Sequence, residues 1–300
     1  MLPAAPGVPI DAVLAFFGLG SPRSVARTAL GMANHSYLVT TEAGSAYVVK
    51  QLVHQQASLL PNDLAIQQQL LSGGIAAPRY LQSPGGEYLY RQAGVSAVVS
   101  ARIEGVHPSA LTPRLARQMG SMLARYHQAV RSLPLAHAGW LNRRDAGSPA
   151  NGHSGPAEAA LALLRAGSII FEAPLPQGII HGDFHTGNLL VRSEADAEIV
   201  AVLDFEEAQA SSLLVDIAFG LFGSHSLHSS PQDTHANVHA FLDGYQIVRP
   251  LEAVERDNLG LALGFVAGAT ALWLWERGYA DNAAHNVAVA DALRQIDLTR

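Results

Sequence analysis

Apolar and polar positions first alternate and later recur at helical spacing, which divides the 300-residue chain into a strand-rich first third and a helical remainder. Residues 37–41 and 46–52 are rich in β-branched and aromatic side chains and flank a turn at 42–45, which predicts a β-hairpin. Period-two alternation places Ala46, Val48 and Lys50 on one face. A helix is expected next, capped by Asn62 after Pro61 and stopped by the pair Gly73 and Gly74. Further strands are predicted near 88–92 and 97–102. Beyond Arg102 the period lengthens. Thr112 reads as an N-cap with Pro113 in the first helical position, and Leu115, Met119, Met122, Leu123 and Tyr126 share a face. Residues 144–156 read as a loop and 157–171 as a helix. Helices are expected from Asp216 to the end, interrupted by a His- and Ser-rich loop at 224–237 whose histidines are expected at the surface.

Two short apolar runs, 189–192 and 199–203, are joined by a polar segment and predict an antiparallel hairpin. The uncharged run 259–275 is slightly short for a bilayer span and stands alone, so a buried core helix is the expectation. Gly260, Gly264 and Gly268 recur every four residues there, a smooth stripe against which another helix can pack closely. The outline is a two-lobed α+β protein, a small β-rich lobe over residues 1–103 and a mainly helical lobe over 104–300, with a ligand expected where the lobes meet.

Composition narrows the function. Apolar residues make up 49% and charged residues 15% of the chain, which fits a compact globular protein rather than a disordered one. A net charge of −6 with no Lys/Arg-rich run leaves no footprint for a phosphate backbone, so no nucleic-acid partner is expected. Cysteine is absent, which excludes disulfides, thiolate nucleophiles and Cys-ligated zinc. The first residues lack a basic stretch, and their apolar run is broken by prolines and Asp11, so no signal peptide is expected and the default location is cytoplasmic, with no membrane partner.

The most informative stretch is His181-Gly182-Asp183-Phe184-His185-Thr186-Gly187-Asn188, polar residues set between apolar flanks. Pairing of the two runs that follow sets Asn188, before the first, beside Asp204, at the end of the second. An amide oxygen and a carboxylate so placed can hold a hard cation. Asp183 brings a second carboxylate to the same spot, suited to accept a proton from a hydroxyl. Phosphoryl transfer needs this set together with a fixed cation, and Lys50, the only lysine in the chain, is the candidate. In isolation Lys50 also reads as a solvated strand lysine, and His181-x-Asp183-x-His185 as a fragment of a metal hydrolase. Asp216, at a predicted helix start, reads as a structural brace.

The motif HGDFHTGN followed by VLDFEEA resembles the aminoglycoside phosphotransferase and choline kinase-like superfamily, and within it the homoserine kinase-like members. The resemblance runs over nearly the whole chain and implies the protein-kinase-like fold, with ATP and Mg²⁺ as cofactors. By that match Asp183 is the base, Asn188 and Asp204 are metal ligands and Lys50 meets the nucleotide phosphates. The segment 31–37 is similar to the family's phosphate-covering loop, which implies contacts from Asn34 and Ser36, although it lacks the full Gly-x-Gly-x-x-Gly of protein kinases. Asp63 is the implied acidic partner of Lys50, and 98–104 the connection that meets adenine. His185 and Glu207 are candidate substrate-binding residues, Glu207 as a carboxylate placed after Asp204 where an amino group could bind. The expected partner is a small molecule bearing a hydroxyl, either an amino alcohol or amino acid resembling homoserine, or an antibiotic. The alternative is a catalytically silent ligand-binding module that keeps the fold.

Overall fold

The computed structural model describes residues 7–28, 35–53, 57–134, 141, 155–227 and 233–296. The chain divides into two compact units, Met1–Glu104 and Gly105–Arg300.

In the first unit, helix α1 (Ile10–Phe16) precedes strands β1 (Pro22–Arg27), β2 (His35–Thr41) and β3 (Ala46–Gln51), helix α2 (Leu60–Ser72), and strands β4 (Tyr90–Gln92) and β5 (Val95–Ala101). The strands form one antiparallel sheet in the order β1-β2-β3-β5-β4. Alternation decides its faces. Val39, Val49, Ala97 and Val99 lie on one side, where they pack with Ile10, Val13, Leu14 and Phe17 around α1. Val98, on the other face, clusters with Leu52 and with Leu60 of α2. Lys50 pairs across with Ser36 on β2 and Val98 on β5, so it lies in the central strand on the α2 side.

The predicted hairpin is present, closed by Thr41 and Ser45 with Gly44 at φ +84°. The start of α2 differs from expectation: the helix begins at Leu60 with Pro61 in its first turn, and no side chain caps it. Proline tolerates that position because its missing N–H has no helical acceptor there. Asn62 is therefore inside the helix. Strand β1 was not foreseen because its sequence, PRSVAR, is largely exposed and lacks an apolar face.

The second unit contains helices α3 (Pro113–Val130) and α4 (Pro156–Gly167), strands β6 (Gln177–Ile180), β7 (Leu189–Val191), β8 (Ile199–Val202) and β9 (Gln209–Ser212), and helices α5 (Leu213–Leu227), α6 (Thr234–Val248), α7 (Ala253–Glu276) and α8 (Ala280–Arg294). β7 pairs with β8, as the pattern predicts, and β6 with β9. The Thr112 hydroxyl accepts from Leu115 N–H at 3.2 Å, making it the N-cap of α3. The helix expected over 157–171 becomes a 3-10 turn after Gly167. The expected polar loop also shrinks: α5 runs to Leu227, burying Ser224 and His225, while residues 228–232 lie outside the described residues.

Among the described residues α7 is the one helix long and apolar enough to cross a membrane, yet it is mostly buried, packed against α4, α5 and α8. Its glycines differ in purpose. A Cβ on Gly268 would sit 2.5 Å from the Ala160 carbonyl oxygen of α4, whereas one on Gly260 would meet nothing within 4 Å. Gly268→Ala should therefore lower the unfolding free energy by about 1–3 kcal/mol through overpacking. Gly260→Ala should be neutral or raise it by up to about 1 kcal/mol, the helix-propensity gain. Urea unfolding of the two variants tests this, and equal stabilities would contradict the α4–α7 packing.

Candidate functional site

The site is built from the loop between β6 and β7 and from the turn that follows β8. The β7–β8 ladder sets Leu189 opposite Val202, and Leu203 N–H donates to the Asn188 carbonyl at 2.9 Å. The pairing thus reaches one residue past β7 and brings Asn188 beside the end of β8, where Asp204 follows. Asp204 is at φ +66°, a left-handed conformation that is uncommon outside glycine and costs on the order of 1 kcal/mol. Strain of this kind persists only where the surroundings enforce it.

The Asn188 side chain clamps the loop. Its Nδ2 donates to both the Asp183 carbonyl and Asp183 Oδ2, each at 2.8 Å, which commits the amide nitrogen and leaves Oδ1 as the amide's available ligand atom. Asp183 Oδ1 lies 3.4 Å from His185 Nε2. His185 Nδ1 accepts from the Gly187 N–H at 3.0 Å, so Nε2 carries the hydrogen and faces the carboxylate. Burial alone would push the His185 imidazole down, but the carboxylates of Asp183 and Asp204 raise it above the usual histidine range.

His181 is fully buried. Its Nε2–H donates to the Leu203 carbonyl at 2.9 Å and its Nδ1 accepts from Asp183 N–H at 3.3 Å. Both nitrogens serve the loop, which argues against a metal-hydrolase role for this histidine. Its ring packs against Tyr126, Phe184 and Phe205, and Tyr126 stacks on Phe205. Phe205 thereby anchors the turn holding Asp204 to the loop holding Asp183.

Below the loop lies Asp216, in the first turn of α5 and wholly buried. Its Oδ2 accepts from His181 N–H at 2.7 Å and from His127 Nε2 at 2.9 Å, and its Oδ1 accepts from Gly182 N–H at 3.0 Å. Burial would raise the Asp216 carboxyl, but the hydrogen bonds from His127 Nε2 and the His181 N–H outweigh it and hold the group below the usual carboxylate range. The brace expected of Asp216 is what the geometry shows.

Of the remaining sequence-predicted residues, Lys50 and Ser36 face each other across β3 and β2 of the first unit. Asp63 is buried in the first turn of α2, on the same side of the sheet as Lys50, and both are engaged in interactions. Asn34 lies outside the described residues. Glu207 is half-buried, and its backbone closes against Gly182. His127 escaped sequence reading. Its signal was a histidine on the buried face of α3, next to Tyr126 and in line with Leu123 and Val130. His107 was also missed: it lies against Gly187 and Leu189, and burial pushes its imidazole below the usual range.

Gly182 is at φ +79°, and a Cβ there would collide with the Glu207 carbonyl. Gly182→Ala should cost at least about 2 kcal/mol, combining backbone strain with a clash against rigid main chain. Thermal or urea unfolding measures this, and a variant as stable as the parent would contradict the close approach of loop and turn.

A family profile described as "Phosphotransferase enzyme family" matches residues 24–251. A homoserine kinase of Polaromonas naphthalenivorans (strain CJ2) is 30% identical over 278 residues, covering 88% of this chain and 84% of the relative. Among solved structures, a microcompartment-associated aminopropanol kinase aligns with a TM-score of 0.75 at 16% identity, covering 95% of this chain and 94% of its own. An amicoumacin kinase in complex with AMP-PNP and Ca²⁺ aligns with a TM-score of 0.70 at 18% identity, covering 96% and 93%. The two structural likenesses establish a protein-kinase-like fold, and the profile covers most of the chain: this protein belongs to the phosphotransferase enzyme family and is a small-molecule phosphotransferase.

Proposed function

We propose that the protein transfers the γ-phosphate of Mg-ATP to the hydroxyl of a small amino acid or amino alcohol of the homoserine type. The observation that carries this reading is the Asn188 clamp, which orients the Asp183 carboxylate through Nδ2 and leaves the amide oxygen as a donor atom, on a residue whose backbone pairs beside the Asp204 turn. Asn188 Oδ1 and the Asp204 carboxylate are hard oxygen donors of the kind Mg²⁺ takes. When bound, that ion neutralises charge on the transferring phosphoryl group.

The chain's own residues do the rest. Asp183 accepts the proton of the acceptor hydroxyl, and the Asn188 amide and His185 Nε2–H fix its two oxygens. In this reading residues 1–103 carry the nucleotide and 104–300 the metal and acceptor. Lys50 neutralises phosphate charge, steadied by Asp63, and Asn34 and Ser36 contact the phosphates. Glu207 is suited to pair with the ammonium of an amino-acid acceptor, and His185 to face the hydroxyl. The homoserine class is preferred over antibiotics because the homoserine kinase relative is 30% identical across most of the chain, whereas the amicoumacin kinase is 18% identical.

The test is nucleotide consumption by purified protein with Mg²⁺ against homoserine, related amino alcohols and aminoglycosides. Homoserine or a close amino alcohol should drive ADP release. Asp183→Asn should lower turnover by about 10²-fold or more, the range for a general base, while leaving ATP affinity nearly unchanged. Turnover on an aminoglycoside alone would move the acceptor class to antibiotics. ATP binding without turnover on any acceptor would overturn the catalytic reading.

A further inference from the structure

A chain of buried polar groups runs from Asp216 away from the site and ends more than thirty positions along the sequence, at the start of α7. His127 Nε2 meets Asp216 Oδ2 at 2.9 Å, and His127 Nδ1 meets the Tyr245 hydroxyl at 2.9 Å. Arg249 Nη1 donates to the Tyr245 oxygen at 3.3 Å. The same guanidinium grips Glu255 with two bonds of 3.0 Å, and Glu255 Oε2 accepts from Glu252 N–H at 2.9 Å. Asp216, Tyr245 and Glu255 are fully buried and His127 nearly so.

The direction of every bond in this chain is determined by its ends. The Asp216 carboxylate can only accept, so His127 must carry its hydrogen on Nε2. The Arg249 guanidinium can only donate, so the Tyr245 oxygen accepts from it. Among the described residues His127 Nδ1 is the one remaining partner of the phenol, so the Tyr245 hydrogen goes there and Nδ1 is the acceptor. Burial pushes the Tyr245 phenol well above its usual range, which keeps it a donor. Close contact of α3 and α6 at Gly120 and Gly244 sets the phenol against the imidazole.

A buried charged network of this length is seldom the cheapest way to fill a core, since well-packed apolar residues often stabilise as much or more. Its value lies in orientation. We infer that Tyr245 is a positioning residue for the loop that carries Asp183: its O–H, bonded to Nδ1, fixes the plane of the His127 ring, and with it the third hydrogen bond to Asp216, while Arg249 and Glu255 hold the phenol in place. Without that donor, His127 keeps its hydrogen on Nε2 but loses the second bond that holds its ring. Asp216 then holds the His181 and Gly182 N–H groups with one fixed partner fewer, and the orientation of Asp183 loosens.

The inference rests on the phosphotransfer reading only for its kinetic consequence, so the experiment has a spectroscopic arm and a kinetic arm. Tyr245→Phe keeps the ring and removes the donor. In ¹⁵N-labelled protein, His127 is assigned by the signals lost in His127→Gln. The parent should show one Nε2–H tautomer there. Tyr245→Phe should show faster exchange of the His127 Nε2–H, shifted amide signals at His181 and Gly182, and a kcat about tenfold lower with the KM for ATP changed less than about twofold. If Tyr245→Phe does not fold, Arg249→Lys, which keeps the phenol but removes the fork, should move the same amides in the same sense by less. An equally protected His127 Nε2–H with unmoved amides overturns the inference whatever the activity. A faster-exchanging Nε2–H with an unchanged kcat overturns the positioning role. A parent protein without turnover on any acceptor counts against the phosphotransfer reading, and the Nε2–H and amide signals then decide the inference by themselves.

Discussion

A carboxylate without water must find all its hydrogen bonds within the protein, and Asp216 finds three, two of them from consecutive backbone N–H groups of the loop that carries Asp183. Consecutive N–H groups normally diverge. They converge here on one carboxylate, so the main chain forms a small anion-binding concavity. Gly182, left-handed and without a Cβ, lets the Glu207 backbone approach the loop. One acceptor and one missing Cβ therefore join α5, the loop before β7 and the turn after β8, and the spacing of Asp183, Asn188 and Asp204 follows from that junction.

The arrangement around Asp183 was legible in the sequence because it is local. His181 to Asp204 form one contiguous stretch in which a short hairpin, readable from two apolar runs, suffices to bring Asn188 beside Asp204. The two-unit division and the strand carrying Lys50 were legible for a similar reason, since alternation and β-branched residues mark them directly. What was not legible lies in long-range packing. β1 shows no apolar face, and β6 and β9 are four-residue strands whose pairing depends on the loop between them. The histidine of α3 declares nothing until α5 and α6 supply Asp216 and Tyr245.

The glycines illustrate the same limit within one helix. Gly260, Gly264 and Gly268 form a uniform stripe in sequence, yet only Gly268 makes the close contact with α4 that its missing side chain permits. Gly167, on α4, is the matching close point against Leu261 and Phe265 of α7. Helices cross at particular places, and periodicity identifies the face that packs without identifying the crossing point.

Acceptor identity obeys the same logic. Residues that move a phosphoryl group must act on atoms common to all acceptors, so they are few, clustered and tolerant of little change. Residues that distinguish an amino acid from a sugar contact the parts that differ, and those side chains come from helices whose relative placement is set by packing. The half-buried Arg249 and the buried Glu255 sit at the junction of α6 and α7, joined to the loop through Tyr245, His127 and Asp216. That junction is thus bonded to the loop that carries the proposed base. A substitution there therefore reaches the loop as well as the helices, although it lies far from it in sequence.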